Sequence, residues 1–275
     1  MSTAGTHRSA AGSNLANYSF NYTPDFVLKM AVEPGWGHWE LFGIGRSFRD
    51  RIYPSAFAAG ETPCGTTPCN NIVWGGGVGG DFRGPLFDKK VTIGLKALYG
   101  EGVGRYGSST IADLTIRPNG TLSPLHGFSG LSTLELNPTS KLMMYFNYGG
   151  DYIGRDWELD TFTGDTNVGK EVGYGTYTVN MSGCEAEPNS TSSGFPGSDP
   201  TAPSNCGGNN KDVQEFTAGY WFNFIAGPQG RLRQGIQYSL IRRDLWSGAG
   251  GTGNPSNGAH GDDNMIFTSF RYYLP

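Results

Sequence analysis

The chain has 275 residues, 44 of which are glycine, and its formal net charge is −4. Charged residues make up only 16% of it, well below the roughly 25% of soluble domains, and no basic stripe indicates nucleic-acid binding. No run of 18 apolar residues is present, which excludes a transmembrane helix but not a wall of alternating strands.

Nine stretches of the chain alternate between apolar and polar residues with the period of two that is typical of β-strands. In chain order they cover residues 20–33, 37–49, 71–84, 89–104, 125–136, 141–154, 213–226, 231–243 and 263–274. Strands of soluble domains average about five or six residues, whereas a tilted strand that crosses a bilayer needs about nine to eleven. The length of all nine stretches therefore favours strands that cross a membrane.

The connections between these stretches alternate strictly between short and long. Short turns are predicted at 33–37, 85–89, 137–140 and 227–230, and long polar connections at 50–70, 105–124, 155–212 and 244–262. Soluble β-sandwiches mix their loop lengths, whereas outer-membrane barrels have short turns on the periplasmic side and long loops outside. We therefore predict an all-β, antiparallel up-and-down transmembrane β-barrel, in one domain over residues 1–275, with 155–212 as a long external loop.

The hairpin formed by the stretches 213–226 and 231–243 predicts which face meets lipid. Its apolar face carries Phe216, Tyr220, Phe224, Leu232, Ile236 and Leu240, and we expect these six to be exposed. The predicted pairs are Ile225–Arg231, Phe224–Leu232, Asn223–Arg233, Trp221–Gly235, Tyr220–Ile236 and Phe216–Leu240. A lipid-facing arginine near the bilayer midplane would cost roughly 2–4 kcal/mol, so the arginines are predicted to face a wet lumen.

The same alternation predicts the side chains that line the lumen. They are Lys29, Asp81, Arg83, Lys96, Asp151, Glu215, Asn223, Arg231, Arg233 and Arg271. Some of these charges are expected to select solutes electrostatically. The alternative for each single residue is a solvated position on the inner wall.

In the stretch WGGGVGGDFRG (74–84), the period of two places Gly75, Gly77 and Gly79 on the predicted lumen face. Their missing side chains leave space inside the wall for water or for an inward-folded loop. The alternative is that the glycines serve only close packing between strands.

The four cysteines form two local pairs, Cys64 with Cys69 and Cys184 with Cys206, in loops rich in Pro, Ser, Thr, Gly and Asn. A zinc site is the rival interpretation, but the spacing is not C-x-x-C and no histidine is near. We predict two loop disulfides, which indicate an oxidising compartment, and no metal site.

The pair His126 and Ser129 is the best candidate for a hydrolytic dyad. Residues three apart on a strand point to opposite faces, so this dyad cannot form locally. We predict that the protein is not an enzyme and uses no cofactor.

The stretches KKVTIGLKALYGEGVGRYGSS (89–109), SKLMMYFNYGGDYIGRDW (140–157) and DNMIFTSFRYYLP (263–275) resemble porin-like outer-membrane β-barrel proteins of diderm bacteria. The resemblance implies a passive channel for small solutes in the bacterial outer membrane. Its partners would be outer-membrane lipid and those solutes, with homo-oligomerisation left open and no nucleic acid. The alternatives are a soluble, lectin-like carbohydrate-binding domain and a plugged outer-membrane barrel used in adhesion or assembly.

The number of predicted strands is odd, whereas bacterial single-chain barrels have an even number. The first stretch, 20–33, leads into a short turn and so starts on the external side. Residues 1–19 are then interpreted as the end of an external loop, and the chain as the C-terminal part of a longer barrel. We therefore expect no regular ladder between 20–33 and 263–274; a tenth wall strand within 171–181 is the alternative.

Overall fold

The structure is a computed structural model that describes residues 21–57, 59–109, 111–162, 168–181, 184, 206–228, 230–249 and 258–274. In chain order its strands are β1 (Phe26–Val32), β2 (His38–Ile52), β3 (Cys69–Leu86), β4 (Val91–Glu101), β5 (Leu114–Ile116), β6 (Leu122–Pro124), β7 (His126–Leu136), β8 (Leu142–Ile153), β9 (Asp156–Leu159), β10 (Glu171–Tyr174), β11 (Asn210–Gly227), β12 (Gly230–Leu245) and β13 (His260–Tyr273). Residues 1–19, interpreted above as a loop end, lie outside the described residues.

Nine of these strands form one antiparallel sheet in the order β1-β2-β3-β4-β7-β8-β11-β12-β13. Each corresponds to one of the nine alternating stretches, so the predicted all-β antiparallel architecture is confirmed. Every neighbour in the sheet is the next wall strand along the chain, which is the up-and-down arrangement. Within the described part of the chain, no helix has the length and apolarity needed to cross a membrane.

The two edges of the sheet are β1 and β13, and no ladder joins them among the described residues. The expected gap between the first and last strands is therefore confirmed. The tenth wall strand considered for 171–181 is not present. Instead, β10 pairs with β9 in a separate two-stranded sheet, and β5 pairs with β6 in another. Both small hairpins lie within long connections.

The register of β11 and β12 agrees with the prediction over most of the hairpin. The observed pairs include Phe216–Leu240, Tyr220–Ile236, Trp221–Gly235 and Asn223–Arg233. Nearer the turn, Ile225 pairs with Leu232 and Ala226 with Arg231, because a bulge lies between Asn223 and Ile225. The predicted pairs Ile225–Arg231 and Phe224–Leu232 are therefore wrong.

The bulge follows from the turn that closes this hairpin. Gly227 pairs with Gly230, which leaves a two-residue connection in place of the predicted four-residue turn. Two-residue connections are the commonest in hairpins. This one sets the register of the pairs next to the turn, which differs by one residue from the register of the pairs from Asn223–Arg233 onward. An extra residue opposite a single partner absorbs the difference, and a period-two pattern does not reveal it.

The two faces of the sheet differ in what covers them. The connection 102–125 folds against one face, which we call the inner face; the opposite one is the outer face. The four described clusters of buried apolar side chains each include residues of the long connections. The outer face carries at least one exposed apolar side chain on every wall strand, for example Leu28, Leu41, Val78, Leu95, Phe128, Tyr148, Phe216, Ile236 and Ile266.

The six apolar side chains of the β11–β12 hairpin follow this pattern in part. Phe216, Phe224 and Ile236 are exposed, as expected. Tyr220, Leu232 and Leu240 are half-buried, because strands on both sides of the hairpin shield them. None of the six belongs to a buried core. A soluble sandwich needs a second sheet packed on one face at about 10 Å, and the described strands form only one large sheet and two short hairpins.

Close strand packing near the middle of the sheet gives a first testable prediction. A Cβ atom on Gly100 would collide with backbone atoms of Gly76 and Gly77, whereas a Cβ atom on Gly45 would have nothing within 4 Å. Because backbone cannot move aside cheaply, Gly100→Val is expected to lower the free energy of unfolding by about 1–3 kcal/mol. Urea unfolding measures this, with Gly45→Val as the matched control. Equal effects of the two substitutions would contradict the observed strand spacing.

Candidate functional site: the inner face

The connection 102–125 lies on the inner face and begins with a docked apolar side chain. Val103 packs against Ile44 of β2 and Leu98 of β4. The backbone N–H of Gly102 donates to the carbonyl of Leu125, 2.8 Å away, and so holds the two ends of the connection together. The described segment therefore folds over the sheet.

The glycines of β3 make room for this arrangement. A Cβ atom on Gly77 would lie 3.1 Å from Cγ1 of Val103, so this glycine accommodates the inward-folded connection. Beside Gly75 and Gly79 lie the rings of Phe48 and Phe42, which belong to the neighbouring strand. Gly77 therefore leaves space for an inward-folded loop, and Gly75 and Gly79 serve close packing between strands, so both interpretations of the glycine-rich stretch apply.

Arg46 is the first anchor of the connection, and it is fully buried. Its guanidinium forms ion pairs with Asp25 at 3.1 Å and with Asp113 at 2.9 Å, and it also donates to the carbonyl of Gly102. The hydroxyl of Tyr106 donates to Asp25 at 2.7 Å. A buried charge is tolerated only when it is paired and hydrogen-bonded, so these contacts tie the connection to β2 and to the residues before β1.

Asp151 of β8 is the second anchor. Its carboxylate accepts a hydrogen bond from the backbone N–H of Ser109 at 2.6 Å, and another from the hydroxyl of the same residue. Strands β3, β4 and β7 lie between β2 and β8 in the sheet, so the two anchors hold the connection across the middle of the inner face. Asp151 was predicted as a lumen-facing charge; in the structure it holds this connection.

A cavity of about 650 Å³ remains between the connection and the wall. Its lining combines the tip of the connection with side chains from β2, β4, β7, β8, β11 and β12. These include Phe42, Lys96, Tyr106, Ser109, Asn147, Glu215, Thr217 and Gln237. Residues of six wall strands border this one space, and its lining combines polar and charged side chains with apolar ones.

The registers place all ten predicted lumen residues on the inner face. Two of them are paired with carboxylates that the sequence interpretation missed. Lys29 lies 2.7 Å from Glu40, and Arg83 lies 3.0 Å from Glu135. That these ten residues line a pore stays a prediction. The anchor Arg46 was also missed, although it alternates in phase with apolar residues of β2, which was the available signal.

Two groups of charged side chains lie apart from the cavity. Arg231, Arg233 and Arg271 come together near the short turn of the β11–β12 hairpin, on the inner face. His126 lies 3.3 Å from Glu101 and stacks on Tyr99. Its strand neighbour Ser129 lies on the opposite face, as predicted, so these residues form no dyad.

The long connections pack on one another at the end of the sheet away from the short turns. Arg155 lies over the rings of Tyr177 and Trp246, at 3.8 and 4.6 Å, and donates to the hydroxyl of Ser247. Tyr174 donates to the carbonyl of Asn210, and burial raises the pKa of its phenol well above the usual value. The described parts of the two longest connections therefore form an ordered cover.

Both cysteine pairs lie at disulfide-bonding distance: Cys184–Cys206 lies within the longest connection, and Cys64–Cys69 joins the connection between β2 and β3 to the first residue of β3. The Cα atoms are 5.3 Å apart for Cys64 and Cys69, and 4.5 Å apart for Cys184 and Cys206. The predicted disulfide pairing is confirmed. The disulfide Cys184–Cys206, with a sequence separation of 22, is worth roughly 3 kcal/mol in the loop-entropy model, and it acts on the connection and not on the sheet.

No known protein family and no curated protein matches this sequence. The fold is similar to that of the outer membrane channel DcaP of Acinetobacter baumannii, with a TM-score of 0.57 and 12% sequence identity. The alignment covers 96% of this chain and 55% of that channel, so the chain spans about half of the channel's length. The likeness establishes a porin-like fold.

Proposed function

We propose that this chain forms part of the wall of a porin-like channel in the bacterial outer membrane, through which small polar solutes diffuse passively. The observation that carries the proposal is the contrast between the faces. The inner face carries the ten predicted lumen residues and is crossed by an anchored connection, and the outer face exposes apolar side chains on all nine wall strands. In water that exposure would far exceed the several hundred Å² typical of a soluble monomer.

The placement of charge supports the same orientation. Along β4, Leu95 and Ala97 lie on the outer face while Lys96 lies on the inner face, beside Asp81 and Leu131 of the neighbouring strands. A bilayer tolerates such a strand only with the apolar side in lipid. The short turns at one end and the long, disulfide-bridged connections at the other match periplasmic and external sides, respectively.

Current recordings test the channel. The closed barrel that contains this chain as part of its wall, refolded and reconstituted into a planar bilayer, is expected to give discrete current steps, because the cavity of about 650 Å³ beside the anchored connection leaves room for hydrated ions. The empty bilayer and heat-denatured protein serve as controls.

A folded protein that inserts into the bilayer and carries no current would contradict the channel proposal. The connection 102–125 would then act as a plug, which is the second candidate function, and the barrel would serve adhesion or assembly. The observation that favours this candidate is the pair of anchors that hold the connection across the inner face.

A further inference from the structure

Three arginines share two aromatic rings on the inner face, near the short turn of the β11–β12 hairpin. The guanidinium carbons of Arg233 and Arg271 lie 4.2 and 4.5 Å from the ring centre of Trp221. Those of Arg231 and Arg233 lie 4.6 and 5.0 Å from the ring centre of Tyr273. We call these five residues the arginine cluster.

Positive charge in the cluster is not neutralised by the described residues. Arg233 lies directly opposite Arg271 in the sheet, a position where like charges destabilise the pairing. No carboxylate of a described residue forms an ion pair with any of the three arginines; Arg271 donates to the hydroxyl of Ser269 at 3.4 Å and interacts with the hydroxyl of Tyr273. The aromatic rings offset only part of this repulsion, since a cation–π contact is worth about 0.5–1 kcal/mol at exposed sites.

The other inner-face cations behave differently. Lys29 and Arg83 each lie within 3.0 Å of a carboxylate on the adjacent wall strand or the strand beyond it. The arginine cluster is therefore a local concentration of unneutralised positive charge and not a general property of the wall.

Hydrogen bonding in the cluster is also incomplete. The Nε atom of Arg233 is buried and has no acceptor, and the Oδ1 atom of Asn223, directly opposite on β11, is buried without a donor. A buried donor without an acceptor costs free energy, and an oxygen of an anion would remove that cost for Arg233. The rings hold the stacked guanidinium groups in orientation, and the terminal Nη donors of Arg231 and Arg233 have no acceptor among the described residues, so they can form a planar, bidentate contact.

We propose that the arginine cluster binds the oxyanion group, carboxylate or phosphate, of small solutes at the short-turn end of the inner face. The proposal rests on the proposed channel function and names the class of solute that the channel retains. The three guanidinium groups supply the donors, and Trp221 and Tyr273 hold them in place. Anions entering or leaving at this end would dwell at the cluster, whereas cations would be repelled.

Fluorescence of Trp221 reports on binding, because two of the three arginines lie over its ring. The full-length chain, folded in detergent, is titrated with sodium phosphate in one arm and with sodium acetate in the other. A separate titration with sodium chloride at equal ionic strength is the control for charge screening. A saturable change is expected with phosphate or acetate, and the stronger arm identifies the preferred oxyanion. The change is expected to be absent in Trp221→Phe.

Variants separate specific binding from screening. The double variant Arg233→Gln/Arg271→Gln is expected to weaken the apparent affinity at least tenfold, and Arg231→Gln severalfold. The single variant changes an exposed side chain, so it keeps the test valid if the double variant fails to fold. Arg49→Gln is the matched control, because Arg49 also lies over an aromatic ring, that of Tyr22, but outside the cluster.

A fluorescence change that chloride reproduces at equal ionic strength, or that survives in the double variant, would overturn the site. Bilayer recordings keep the two proposals distinct. If the unaltered protein conducts current but binds no anion, only the proposed binding site is refuted. If it binds anions but carries no current, the channel proposal is refuted and the binding site stands.

Discussion

Leu95→Arg is expected to lower the free energy of unfolding in lipid vesicles by about 2–4 kcal/mol. Leu95 lies on the outer face of β4 and is 51% exposed. In water an arginine at such an exposed position changes stability by less than about 0.5 kcal/mol. In a bilayer its charge must leave water, and this desolvation is the source of the expected loss. Urea unfolding of the protein in vesicles, followed by tryptophan fluorescence, measures it.

Leu131→Arg is the matched control for this substitution. Leu131 lies on β7, the next strand in the sheet, at nearly the same height, and is 44% exposed on the inner face. Because Leu131 borders the open cavity on that face, the new charge stays hydrated, and only its repulsion from Lys96 opposes it. If both arginines are tolerated equally, the outer face lies in water and the membrane orientation is refuted.

Arg46→Leu is expected to destabilise the protein by about 3–5 kcal/mol, the usual cost of removing one partner from a buried ion pair. The substitution removes the nearest cation from the buried carboxylate of Asp113 and from the partly buried carboxylate of Asp25, and Asp113 keeps only the more distant Arg105 at 3.6 Å. The connection 102–125 should then leave the inner face. Urea unfolding measures the loss of stability, and faster tryptic cleavage after the half-exposed Arg105 reports the release.

Two further variants show whether the loss comes from the uncompensated carboxylates. Arg49→Leu, at an exposed position of the same strand, is expected to change stability by less than about 0.5 kcal/mol. Asp113→Asn in the Arg46→Leu background is expected to restore part of the loss, because the two residues interact directly and their effects are not additive. In the planar bilayer, Arg46→Leu should give larger current steps; unchanged steps with rapid cleavage would show that the connection does not limit the current.

The amino-acid sequence by itself determined the wall strands, their antiparallel order and the face on which each side chain lies. These properties follow from a period of two and from the lengths of the connections, both of which are local. β3 and β11 extend beyond the predicted stretches, and β1 begins later than predicted, because strand ends depend on the pairing partner. The gap between β1 and β13 was also predicted from the odd strand number.

Only the tertiary structure decided where the long connections go and which charges are satisfied. The docking of 102–125 depends on Arg46 meeting Asp113, and the arginine cluster depends on Trp221 meeting Arg271 across β12. The bulge at Phe224 likewise follows from the turn length and not from the alternation. Each of these features joins residues from different strands or connections, and a pattern along one strand carries no information on partners that the sheet brings together from elsewhere in the chain.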